Sequence, residues 1–227
     1  MKRLIVIEGL DGSGKSTQTK ILKDELQGSG VPLKQIKLPD YENPSSSLVR
    51  MYLAGDFGTK PEDVNAYAAS SFYAVDRFAN YTVKWKNDYE NGTLILADRY
   101  TTSNAVHQMT KLPESEWDHY LEWLSDFEYV KIGIPRPSLV VFLDMPIEVS
   151  QKLMTGRYRG DETKKDVHEA DVEYLKACRR AGLYAAKKLG WHVVKCYCND
   201  EPRAIDEIAE DIRRVVFETV VFEDKDA

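Results

Sequence analysis

Apolar residues occur in two patterns along this chain. Leu4-Ile5-Val6-Ile7, Leu94-Ile95-Leu96-Ala97 and Leu139-Val140-Val141-Phe142-Leu143 are short unbroken runs, as expected of strands buried on both faces. Residues 32–37 and 192–196 are weaker candidates of the same kind. Between these runs, apolar positions recur three and four apart, as on a helix. Ala68, Phe72, Val75, Ala79 and Val83 form one such stripe after Val64. Leu175, Cys178, Ala185 and Leu189 form a second, and Ile205, Ile208, Ile212, Val215 and Val216 a third. Thr59 with Glu62 resembles a capping box, and Pro202 fits the start of the last helix. Five strands alternating with helices predict an α/β fold: a five-stranded parallel sheet with helices on both faces. No repeat, low-complexity tract or linker interrupts the chain, so residues 1–227 read as one domain.

The first predicted strand runs into Glu8-Gly9-Leu10-Asp11-Gly12-Ser13-Gly14-Lys15-Ser16-Thr17. Residues 9–16 match G-x-x-x-x-G-K-[ST], the phosphate loop of P-loop NTPases. Glycines let successive backbone N–H groups turn inward onto phosphate oxygens, and the following helix adds its N-terminal donors and positive dipole end. Asp11, Gly12, Ser13, Gly14, Lys15, Ser16 and Thr17 are therefore the expected ATP-binding residues. Lys15 is expected to reach the β and γ phosphates, and the Ser16 hydroxyl to hold Mg²⁺. The guanine-specifying Asn/Thr-Lys-x-Asp sequence is absent and the chain is short for a motor, which favours a small-molecule kinase.

The second apolar run ends in Asp98-Arg99-Tyr100. Ligands of open parallel sheets bind at the carboxyl ends of the strands. Asp98 is thus placed to hold Mg²⁺ and Arg99 to clamp a phosphate. Tyr73 and Arg77, four apart, share a face offset from the apolar stripe of their helix. They read either as a stacking and hydrogen-bonding pair for a base or as a surface pair. Met154-Thr155-Gly156-Arg157-Tyr158-Arg159-Gly160-Asp161 reads as a solvated loop or as part of a mobile basic lid, about residues 155–165, closing on ATP with Arg157 and Arg159.

Composition narrows the possible partners. The 227 residues carry a net charge of −6 and a pI of about 5.4, so nucleic acid gains no general electrostatic attraction. No apolar run approaches the roughly 18 residues of a membrane span, and the four apolar residues after Met1-Lys2-Arg3 are too few for a signal peptide. Cys178, Cys196 and Cys198 are odd in number and lack the spacing of a zinc site. They are expected to be reduced thiols in a cytoplasmic protein.

Taken in order, these segments resemble the thymidylate kinase family: the P-loop with Asp11, the Tyr73-to-Arg77 spacing, Asp98-Arg99-Tyr100, Asn104 and Gln108, and the arginines of the lid. The resemblance implies ATP·Mg²⁺-dependent phosphorylation of dTMP, and a homodimer. It further implies that Asp11 meets the sugar hydroxyl and that Tyr73 stacks on thymine. Arg77, Asn104 and Gln108 would bond the base edge, and Arg50 and Arg99 the acceptor phosphate. Asp166 and Glu169, flanking His168, resemble the acidic pair after the lid. One position departs from the family. Leu38-Pro39-Asp40-Tyr41 puts a carboxylate where many members carry an arginine. At about 5 Å from a phosphate this would cost roughly 3 kcal/mol per charge. Asp40 must turn away or be neutralised, or else serve as general base of a deoxynucleoside kinase acting on a 5′-hydroxyl. A nucleotide-sensing protein without catalysis is a third reading.

Overall fold

The computed structural model describes residues 2–157 and 172–218. The sites expected at Arg159, Asp166, His168 and Glu169 lie outside the described residues, as does the Arg157 side chain. The predicted runs form β1 (Leu4–Gly9), β2 (Leu33–Lys37), β3 (Leu94–Asp98), β4 (Leu139–Asp144) and β5 (His192–Lys195). They pair in parallel in the order β2-β3-β1-β4-β5. Strands β1, β3 and β4 are buried at every position, whereas the edge strands β2 and β5 are partly exposed. This is why only the central three carry unbroken apolar runs.

The connecting helices are α1 (Lys15–Gly28), α2 (Ser47–Ala54), α3 (Ala66–Asn80), α4 (Lys86–Glu90), α5 (Thr102–His107), α6 (Trp117–Ser125), α7 (Ile147–Arg157), α8 (Val172–Leu189) and α9 (Ile205–Val216). Two π-helical segments, Tyr81–Trp85 and Asp126–Ile132, continue α3 and α6. Alternate residues of β1 serve opposite cores. Ile5 and Ile7 pack with Leu22 and Leu26 of α1 and with Ile208, Ile212 and Val216 of α9. Leu4 and Val6 pack with Tyr81 and Trp85. Helix α8 lies close on β4: a Cβ at Gly182 would stand 2.6 Å from the Phe142 ring, so any larger residue would overpack there. No helix among the described residues is long and apolar enough to cross a membrane.

Three local expectations need correction. Helix α3 starts at Asn65, whose Oδ1 accepts from Ala68 N at 2.9 Å. Upstream of it, Asp63 accepts from Lys60 N at 3.0 Å around a single 3₁₀ turn, so Thr59 and Glu62 form no capping box. Pro202 lies in a two-stranded hairpin, β6 (Tyr197–Cys198) with β7 (Glu201–Pro202), and α9 begins after Ala204. The stripe read on α3 is split: Val75 and Val83 are 49% and 78% exposed, while Ala68 and Phe72 pack against Tyr52, Val64 and Ala69. The inward face carries Ala69, Ser70, Ala74, Asp76, Arg77 and Asn80.

Candidate active site

The carboxyl ends of β1 and β3 and the chain after β2 open into a cleft with two compartments. The larger, about 770 Å³, is walled by residues 11–18, by Asp98 and Arg99, and by residues 202–205 leading into α9. The smaller, about 120 Å³, is walled by Tyr73, Asp76, Arg77, Tyr100, Ser103, Asn104, His107 and Gln108. Asp11 and Arg99 belong to both walls, as do Leu38, Pro39 and Tyr41.

The larger compartment is built for phosphate. Gly9 adopts φ 153°, and a Cβ there would stand 2.9 Å from the Leu143 carbonyl oxygen. Gly14, at φ 90°, caps α1 with no side-chain hydrogen bond, and the first turn carries no acidic residue. The first-turn N–H groups of α1 therefore have no side-chain acceptor and lie in the wall of a cavity, the arrangement that suits an anion. The Ser13 hydroxyl is buried there with no protein partner. Gln18 Nε2 donates to the Ile205 carbonyl at 2.9 Å and so ties the P-loop helix to the far wall. Ser16 and Asp98 line the same space, and both offer hard oxygen donors that fit Mg²⁺. Among the described residues no cluster of three His, Cys, Asp or Glu gathers to hold a metal. A divalent ion here would draw much of its coordination from nucleotide phosphates.

Charge concentrates where the compartments meet. Lys15 is buried, and its Nζ donates to the Leu10 carbonyl at 2.8 Å and to Asp11 Oδ1 at 3.3 Å. Burial, then the Arg99 charge, pushes its pKa down. Burial alone would raise the Asp11 carboxyl, but Arg99 and Lys15 hold it well below the usual carboxylate range. Arg99 Nη2 donates to Asp11 Oδ1 at 2.7 Å, and Nη1 lies 3.5 Å from Glu8 Oε1 and 3.2 Å from His107 Nε2. Arg99 itself has φ 69°, an uncommon conformation for a non-glycine residue, of the sort that clusters at functional sites. Glu8, fully buried, also accepts from Thr102 and Ser103 at 2.7 and 2.6 Å. Sequence reasoning missed Glu8, although a carboxylate closing a buried apolar run just before Gly9 was a usable signal.

In the smaller compartment, Tyr73 and Arg77 face inward, so the pair is not a surface pair. Asn104 and Gln108 join them, and Gln108 Oε1 is buried without a partner. Two expected residues are not brought in. Asp40 turns away: its carboxylate accepts from Asn80 Nδ2 at 2.9 Å and pairs with Lys84, and it lines neither compartment. It therefore repels no acceptor phosphate and is not placed as a general base. Arg50 is spent on the loop before α2, donating to the Tyr41 carbonyl at 2.7 Å and the Ser46 hydroxyl at 2.6 Å. It too is absent from both walls.

A parallel sheet whose first strand delivers a P-loop, with a second polar compartment joined to it across one arginine, defines a P-loop phosphotransferase. The family profile described as thymidylate kinase matches residues 7–212. The chain is 28% identical to thymidylate kinase from Mycobacterium tuberculosis over 80% of its own length and 84% of that protein's. It is 26% identical to thymidylate kinase from Danio rerio over 92% and 87%. The solved structure of thymidylate kinase from Candida albicans superposes with a TM-score of 0.71 at 23% identity, covering 95% of this chain and 91% of that one. This chain belongs to the thymidylate kinase family.

Proposed function

We propose that the protein transfers the γ-phosphoryl group of ATP to the phosphate of dTMP. The observation that carries this reading is the shared wall: Asp11 and Arg99 border both compartments, so an acceptor phosphate held at Arg99 abuts the space in front of Lys15. ATP takes the larger compartment on residues 11–17, and dTMP the smaller one. Tyr73 stacks on the pyrimidine, Arg77 and Asn104 read its edge, and the unpartnered Gln108 Oε1 accepts from a base N–H. Asp11 meets the sugar. Ser16 and Asp98 would hold Mg²⁺, which would supply positive charge to neutralise phosphate. An acceptor phosphate oxygen is already a nucleophile near neutral pH, so Lys15 and Arg99, with Arg157 at the end of α7 and Arg159 two residues on in sequence, serve alignment and charge neutralisation rather than proton abstraction. The test is ADP release with ATP·Mg²⁺ against dTMP, dUMP, thymidine and deoxycytidine in parallel. Strong turnover with dTMP and none with the nucleosides is expected. Turnover of thymidine without dTMP would overturn the reading.

The outward face of α3 supports a homodimer. Val75, Phe78 and Val83, 49%, 46% and 78% exposed, leave apolar surface on α3 and the segment after it, and apolar surface of this kind marks an interface. A second copy of this chain is its occupant. Phe78→Glu combined with Val83→Glu is expected to turn a dimeric sedimentation profile monomeric; an unchanged dimer would place the interface elsewhere. The three cysteines are free, with Cys198 exposed, which suits the reducing cytoplasm.

A further inference from the structure

Behind the smaller compartment lies a carboxylate that the proposed reaction does not use. Glu128, in the π-helical segment after α6, is fully buried and lines neither compartment. Arg77 Nε donates to its Oε2 at 2.9 Å, and Arg77 Nη2 donates to its Oε1. Arg77 Nη1 reaches the Tyr100 carbonyl at 3.4 Å. Asn104 Nδ2 donates to Glu128 Oε1 at 3.2 Å and to the Ser70 carbonyl at 3.3 Å. One buried carboxylate thus holds two of the residues that wall the smaller compartment.

Resting on the proposed reading of that compartment, we propose that Glu128 is a positioning residue that sets which base the enzyme accepts. A guanidinium has five N–H donors. Glu128 takes two and Tyr100 one, which leaves one on each terminal nitrogen of Arg77. That pair matches a carbonyl oxygen, which carries two lone pairs, and not an amino group. Both Asn104 amide hydrogens are spent on Glu128 and Ser70, so only its oxygen remains for ligand. The compartment then presents donors from Arg77 beside acceptors from Asn104 and Gln108. This pattern complements the 4-carbonyl and N3–H of thymine or uracil, and it opposes the 4-amino group and unprotonated N3 of cytosine.

Glu128→Gln tests this. A glutamine whose carbonyl takes the Oε1 position still accepts from Arg77 Nη2 and Asn104, but it turns an amide N–H group onto Arg77 Nε and removes the charge that pairs the guanidinium. The dTMP KM is expected to rise roughly tenfold or more with kcat within about threefold, and the dTMP-to-dCMP ratio of kcat/KM to fall at least about tenfold. The ATP KM, read from the other compartment, should stay unchanged. A fall in kcat common to dTMP and dCMP, with their ratio intact, would overturn the proposal and leave Glu128 a structural residue. Should Glu128→Gln fail to fold, Glu128→Asp keeps the charge but withdraws it by one methylene. It is expected to lower the same ratio by a smaller factor, and a wild-type ratio in that variant also overturns the proposal. Wild-type protein inactive on dTMP would instead sink the reading of the site itself, and this inference with it.

Discussion

Replacing Lys15 with methionine will lower kcat by about 10³-fold while leaving the melting temperature within a few degrees of wild type. The two halves of this expectation have separate causes. The ammonium lies in the wall of the larger compartment beside Asp11 and Arg99, where charge develops as a phosphoryl group leaves the nucleotide. A fixed cation at that point stabilises the transition state more than the ground state. Yet the same ammonium is buried against the Leu10 carbonyl and its pKa is depressed, first by loss of water and then by the Arg99 charge. Burial and the Arg99 charge disfavour the ammonium, so replacing it with the uncharged methionine chain costs little stability. ADP release and a thermal melt without nucleotide read the two effects. A kcat within tenfold of wild type would mean the P-loop assignment is wrong, and a large drop in melting temperature would mean Lys15 supports the fold.

The legible parts of this fold are those in which one residue property has one cause. Strands β1, β3 and β4 are covered on both faces, so their runs are apolar throughout. The P-loop is contiguous because successive backbone N–H groups must converge on one phosphate, and Asp98-Arg99 follows directly from the end of its strand. Helix α3 partly inverted the usual signal. Its inner side faces the smaller compartment and carries Ser70, Asp76, Arg77 and Asn80, while its apolar residues Val75 and Phe78 point outward. Hydrophobic periodicity located the helix and placed Ala68 and Phe72 correctly against other apolar residues but put Val75 and Val83 on the wrong face, because a wall of a polar cavity and a solvated face look alike in one dimension. Asp40 and Arg50 could not be placed either. Their directions depend on tertiary partners, Asn80 and Lys84 for one and the carbonyls of the loop before α2 for the other. Glu128 stands 51 residues from Arg77, and no local pattern connects the two.

Arg99→Ala will damage stability and activity together, in contrast to Lys15. Three groups converge on this guanidinium: Asp11, His107 and the fully buried Glu8. Burial alone would lower the Arg99 pKa, and the carboxylates Asp11, Glu8 and Asp98 more than reverse this, so the cation is firmly held. Removing the guanidinium leaves the fully buried Glu8 without its cation and Asp11 with Lys15 alone, at about 3 kcal/mol and so roughly 10 °C in melting temperature for a chain of this size. Since Arg99 also lines both compartments, kcat/KM for dTMP is expected to fall by about 10³-fold. Arg99→Lys should recover little, because one ammonium cannot reproduce the planar fork that meets several partners at once. The backbone gives a further discriminating comparison. At φ 69° alanine is strained and glycine is not, so Arg99→Gly should be more stable than Arg99→Ala by about 1 kcal/mol. The pH dependence follows from Asp11, whose folded pKa is depressed by Arg99 and Lys15. A depressed carboxylate contributes stability above its unfolded pKa of about 3.9 and loses it as the pH falls toward the folded value. The gap in melting temperature between wild type and Arg99→Ala should therefore be full at pH 7 and narrow below about pH 4. A gap that stays constant across that range would show that Arg99 acts through packing rather than through its charge on Asp11.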